Sequence, residues 1–122
     1  MVRVLIYLAV VITSFACSEQ SVEPKFADTA EVQGFMADVA AVARGQAIFE
    51  GSCASFCHAN ELEALFLFDC HWNHGSSDQD IFNTITSGVA NTRMVGFGSN
   101  FPEGDDDLWK VIAYLRSNQQ AC

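Results

Sequence analysis

Basic side chains are scarce in this chain: six Lys and Arg stand against fifteen Asp and Glu in 122 residues. Nucleic-acid binding needs a basic face, so that class of partner is excluded. Long apolar runs are lacking too. Val4 to Ile12 (VLIYLAVVI) is uncharged, but it falls well short of the roughly 20 residues that cross a bilayer. No segment shows the alternation of a half-buried strand. Nothing resembles a phosphate-cradling loop, a nucleophile–base–acid triad or a catalytic base. A chain of this length has room for one domain.

What is present begins with an export signal. Met1-Val2-Arg3 is a basic start, Val4 to Ile12 an apolar centre, and Thr13, Ser14 and Ala16 supply small residues before Cys17. That is the pattern of a signal peptide over residues 1–16. A small residue before a Cys directly after the apolar run resembles the lipobox of bacterial lipoproteins, with Ser14 where that motif usually has Leu. The resemblance implies Cys17 as a lipid-bearing N-terminus; the alternative is plain secretion with cleavage near Ala16. Either way the expected location is the periplasm, free or membrane-anchored. Loss of Arg3 leaves five basic against fifteen acidic residues, formally −10. That balance permits steering toward a basic partner and equally serves solubility.

Residues 17–40 read as a tether with an ill-defined helix, and 41–122 as the domain. Ala41–Gly51 has Gly45, Ile48 and Phe49 on one helical face. Ser77 is placed to cap a helix from Asp78 to Ser87, with Ile81, Phe82 and Ile85 as its stripe and Gly88 as its stop. Asp105 opens a last helix to Asn118, striped by Leu108, Ile112 and Leu115 and flanked by Trp109 and Tyr114. Its acidic first turn and Arg116 near its end match the helix dipole. The expected fold is all-α, with three or four helices. Residues 59–77, with a short apolar stretch at 62–68, and residues 89–104 are left as long loops. Loops of that length in so small a domain make sense if they wrap a cofactor that completes the core.

Residues 53–58 read Cys-Ala-Ser-Phe-Cys-His. Two thiols can add across the vinyl groups of haem while the following His reaches the iron. The usual signature is C-x-x-C-H, and here it carries one extra residue. Two other readings remain at this point. Cys53, Cys57 and His58 could hold zinc with Cys70, His71 or His74 as a fourth ligand. Against it, neighbouring residues 57 and 58 point about 100° apart on a helix. Alternatively, Cys53 and Cys57 could pair as a disulfide.

The stretch from Arg44 to Ser117 resembles the small monohaem cytochrome c family. RGQAIFEGSCASFCHA is similar to that family's first helix and attachment site. SSDQDIFNTITSGVANTRMVGFG is similar to its middle helix and methionine loop, and DDDLWKVIAYLRS to its terminal helix. The resemblance implies a cytochrome c fold around one covalent haem c. It implies thioethers at Cys57 and Cys53, His58 as proximal iron ligand, Met94 as distal ligand, and close approach of Gly45 and Phe49 to Tyr114. Arg93 and Trp72 become candidates for the haem propionates; a solvated charge is an equal reading for Arg93. His71 and His74 read as surface residues, with replacement of Met94 as a rival role. Cys70 and Cys122 remain as a bridge or as two free thiols, and an oxidising compartment favours the bridge.

The implied function is outer-sphere electron transfer by a monomer, not enzymatic catalysis. Its implied partners are a periplasmic dehydrogenase, a membrane respiratory complex or a terminal oxidase. The alternatives are a haem-based sensor or gas-binding module with a displaceable distal ligand, and then a small peroxidase.

Overall fold

The structure is a computed structural model, and it describes residues 26–59 and 65–122. The expected signal peptide and Cys17 lie outside the described residues, as does the part of the apolar stretch before Leu65.

Helix α1 (Ala30–Met36) starts where the Thr29 hydroxyl accepts the Val32 N–H. Helix α2 (Val39–Ile48) starts where the Asp38 carboxylate accepts from the Ala40 and Ala41 N–H groups. Side-chain oxygens at these positions satisfy donors that an α-helix leaves orphaned. Helix α3 (Asp78–Ser87) has a full capping box between Ser77 and Asp80. Gly88 ends it at φ 72°, a left-handed conformation that favours glycine. Helix α4 (Asp105–Asn118) carries three Asp residues in its first turn and Arg116 in its last. The expected boundaries of α3 and α4 hold, and the described residues form no strand, only an isolated antiparallel bridge between Gly88 and Val95.

Helix α4 is the axis of the core. Its Leu108, Val111, Ile112, Ala113 and Leu115 are all buried. Helix α2 crosses it at Gly45, where a Cβ would collide with the Lys110 carbonyl oxygen. Glycine is required there so that the two backbones can meet. One turn on, Phe49 packs against Tyr114 with ring centroids 5.6 Å apart. The expected approach of Gly45 and Phe49 to the last helix is therefore present, with the Lys110 backbone as the surface Gly45 meets.

Helix α1 lies within the stretch expected as tether, yet Ala27 and Val32 belong to the core cluster. A charged clasp fixes this segment. The Asp78 carboxylate accepts from the Asp28 and Thr29 N–H groups at 2.9 Å and from the Thr29 hydroxyl at 3.0 Å. Its other oxygen takes the Arg116 Nε–H at 2.7 Å, with both side chains buried. Arg116 thus answers a specific carboxylate as well as the helix dipole. A second pair joins α2 to α4, Arg44 gripping Asp107 through two hydrogen bonds of 2.5 and 2.8 Å.

Candidate functional site: a cleft between a π-helical turn and two loops

Past Ile48 the helix does not stop. It widens into a π-helix over Phe49–His58, the segment that holds both cysteines and His58. A π-helix closes its hydrogen-bonded ring one residue later than an α-helix does, and such turns are frequent at functional sites. The extra residue between Cys53 and Cys57 is taken up in this wider winding. Both thiols border the same cleft and both are free, so they form no disulfide with each other. Burial, and then the neighbouring Cys57, pushes the Cys53 thiol up to about 11, which keeps it protonated. Phe56 is 81% exposed and stands at the edge of the smaller lobe.

The cleft has two lobes of about 430 and 410 Å³. Cys57, His58, Arg93 and Met94 border both, with Leu67, Ile85 and Leu115 as shared apolar walls. An apolar cavity with a few convergent polar groups suits a large, flat, mostly apolar ligand. Cys53 lines the smaller lobe, and Trp72, His71 and His74 line the larger one.

His58 is oriented from behind. Its Nδ1 lies 2.8 Å from the Leu65 carbonyl oxygen. A carbonyl only accepts, so Nδ1 donates, and in the neutral imidazole Nε2 carries the lone pair. That is the tautomer a metal-binding imidazole requires. Met94 is held by its loop. Its N–H donates to the Thr92 hydroxyl at 3.0 Å, and its carbonyl accepts the Val89 N–H at 2.9 Å. The loop then returns against α3, where Phe97 and Gly98 donate to the Ile85 and Thr86 carbonyls. Gly96 allows this, because a Cβ there would stand 2.6 Å from the Thr86 oxygen.

Trp72 shows whether the residues present fit a haem. Its indole nitrogen is buried and has no hydrogen-bond partner among the described residues. A buried N–H without an acceptor is costly, and a ligand carboxylate in the larger lobe would satisfy it. Together with two unpaired thiols, an imidazole with a free Nε2 and a thioether, the donor set fits haem c. Arg93 is exposed at the rim shared by the lobes. His71 and His74 are likewise exposed. Cys70 is bonded to Cys122, which removes it from the zinc alternative. No group of three or more His, Cys, Asp or Glu is arranged for a metal among the described residues.

Two supporting features of the site escape a reading of the sequence. The Leu65 carbonyl and the Arg116 guanidinium, 5.8 Å from the Trp72 ring centroid, leave no local signature. The π-helical winding did leave one: an extra residue inside an otherwise regular helical motif.

A helical domain with such a cleft is a small cytochrome c. Residues 40–115 match the family model described as "Cytochrome C oxidase, cbb3-type, subunit III", and the chain belongs to that family. It is therefore a haem c domain of the electron-carrying kind. Comparison with curated proteins and with solved structures finds no significant match.

Proposed function

We propose that this protein is an exported monohaem cytochrome c that passes single electrons between respiratory redox partners. The observation that carries the site assignment is His58, which has its Nδ1 engaged by Leu65 and borders both lobes together with Met94. Cys57 and Cys53 would form the thioethers, His58 and Met94 would hold the iron, and Trp72 and Arg93 would meet the propionates. When bound, the haem supplies one-electron ferrous–ferric chemistry.

The chain's own residues do the rest. His58 is locked in one tautomer and one rotation. Met94 is carried on a loop pinned to α3, and thioether with imidazole ligation would favour a high reduction potential. Leu67, Ile85 and Leu115 would keep water from the haem and lower the local dielectric. With His58 and Met94 both holding the iron, no position would be left for a substrate, which favours a carrier over an enzyme or a gas sensor.

Residues 1–16 would direct export, with Cys17 as the anchored end, and the folded domain would work in the periplasm. No helix among the described residues is long and apolar enough to cross a membrane. The family's description names an oxidase subunit, which favours a respiratory setting: a dehydrogenase or membrane complex as donor and a terminal oxidase as acceptor. The acidic balance suits partners with a basic face, and their association should slow as salt rises.

The test is an absorbance spectrum, oxidised and reduced, with intact mass, on protein matured with a c-type haem assembly system. One added haem, a sharp low-spin reduced spectrum and indifference to carbon monoxide are expected. Colour extracted by acid–acetone would remove the covalent assignment, and ready binding of carbon monoxide would favour the sensor.

A further inference from the structure

Segment 65–76 forms a wall of the larger lobe, and it contains neither helix nor strand. Yet it carries the Leu65 carbonyl behind His58, and Trp72 with its buried indole nitrogen. Its order is supplied from the far end of the chain. Arg116 Nη2 donates to the Ser76 carbonyl at 2.6 Å while the guanidinium lies over the Trp72 ring. The Gln120 N–H donates to the Phe68 carbonyl at 2.7 Å. Gln119 Nε2 reaches the Asp69 carbonyl at 3.4 Å. Cys122 is bonded to Cys70, with Cα atoms 5.4 Å apart.

These ties differ in kind. Arg116 is anchored inside α4 by Asp78 and stays in place whatever the tail does. Residues 119–122 have no helix to hold them, and Gln120, Ala121 and Cys122 are exposed. Their hydrogen bonds survive only while the tail lies on the wall, and the covalent bond keeps it there.

We propose that the tail, residues 119–122, together with the fixed Arg116, positions the 65–76 wall that carries Trp72 and the His58 side of the cleft, and that the Cys70–Cys122 bond is the switch that releases the tail's share of that hold. The inference rests on the haem reading above for its consequence, though not for its mechanics. A dithiol reductant would operate the switch. One of its thiolates attacks a sulfur of the bridge and forms a mixed disulfide, and its second thiol displaces the remaining cysteine. Two electrons and two protons pass to the protein, giving two thiols, and the reductant leaves as its own disulfide. The exposure of Cys122 makes the bond reachable. Once it is open, the 65–76 wall keeps its Arg116 end and loses its tail end. The Trp72 N–H is then no longer presented in one direction, and the carbonyl behind His58 gains freedom.

The experiment uses the full holoprotein reduced with ascorbate, which supplies one electron to haem, with and without an added dithiol. Thiol titration should find two new thiols in the dithiol arm. Amide hydrogen exchange over 66–76 should then quicken about tenfold or more, while α2 and α4 remain protected. The Cys70→Ser/Cys122→Ser double variant should reproduce that exchange pattern, and its midpoint potential should differ from wild type. Exchange over 66–76 within about twofold of wild type in the double variant would overturn the inference. So would equal quickening of α2 and α4, which would make the bridge a global staple. Haem content by mass separates the two failures: without haem the functional reading falls, while exchange still reports on the clasp.

Discussion

The two sides of this molecule are held together by different means. The α2–α4 side is self-sufficient, with Gly45 letting backbones touch, Arg44 gripping Asp107 and α4 burying a continuous apolar stripe. The cleft side consists of the π-helical turn and the loops 65–76 and 88–104, with far less packing of its own. Trp72 has a buried N–H with no acceptor among the described residues, and His58 has a second nitrogen besides the one on its carbonyl. A domain this small divides the labour: one half folds by its own packing, and the other is shaped to be finished by a cofactor.

That contrast can be broken most severely at the pair joining both sides. Asp78→Ala would leave Arg116 charged and buried, and the expected loss is about 3–5 kcal/mol in denaturant titrations. It would also free residues 28–29 and loosen the support of Trp72. Gly45→Ala strikes the packed side alone, pushing α2 off Lys110 at a cost of about 2–3 kcal/mol. Its effect should be similar with and without haem. Ser77→Ala removes one arm of the α3 capping box and should cost about 1 kcal/mol, read as a lower unfolding midpoint. Trp72→Phe sharpens the contrast from the other side. It should leave the apo fold intact and lower the midpoint potential of the holoprotein by less than about 40 mV, the ceiling reached if a hydrogen bond of ~1 kcal/mol to a propionate acted in the ferrous state alone.

Acid should also act on the scaffold first. Burial alone would raise the Asp78 carboxyl, but hydrogen bonds from Arg116 and the Thr29 backbone, with the Arg116 charge, hold it below its ordinary value. The Arg44 hydrogen bond, working against burial, lowers Asp107 as well. A depressed carboxyl contributes stability in full above its unfolded pKa and loses it as pH falls through the folded one. Stability should therefore be flat with respect to these two groups near neutrality and should decline below the ordinary carboxylate range. In Asp78→Asn that acid limb should be shallower, as followed by helical signal against pH.

The same division explains what could be read in advance. Helices α3 and α4 were legible to the residue because their signals are local: Ser77 and Gly88 bracket one, and an acidic first turn opens the other. The first stretch was less so. The period over 41–51 marked a helix, but the chain winds on through His58 in a form whose wider ring has no familiar spacing. Helix α1 is seven residues long and owes its place to Asp78, some fifty positions away. For the site, CASFCH and TRMVGF pointed to Cys53, Cys57, His58 and Met94, and the fold brings all four to one cleft. Trp72 is half-buried there, its indole nitrogen fully so, and Arg93 is exposed at the rim. What supports them — a carbonyl at 65, a guanidinium at 116 — depends on contacts that no short window contains.

The bond between Cys70 and Cys122, 52 positions apart, also closes a covalent ring. That ring holds α3, the Met94 loop and α4, whereas Cys53, Cys57 and His58 lie on the open strand leading into it. Under tension applied between the N-terminus and residue 70, the load runs through α1, α2 and the π-helical turn and never stretches the ring itself. A chain anchored at its front end would yield mechanically at the attachment side first, while the Met94 side stayed looped and short.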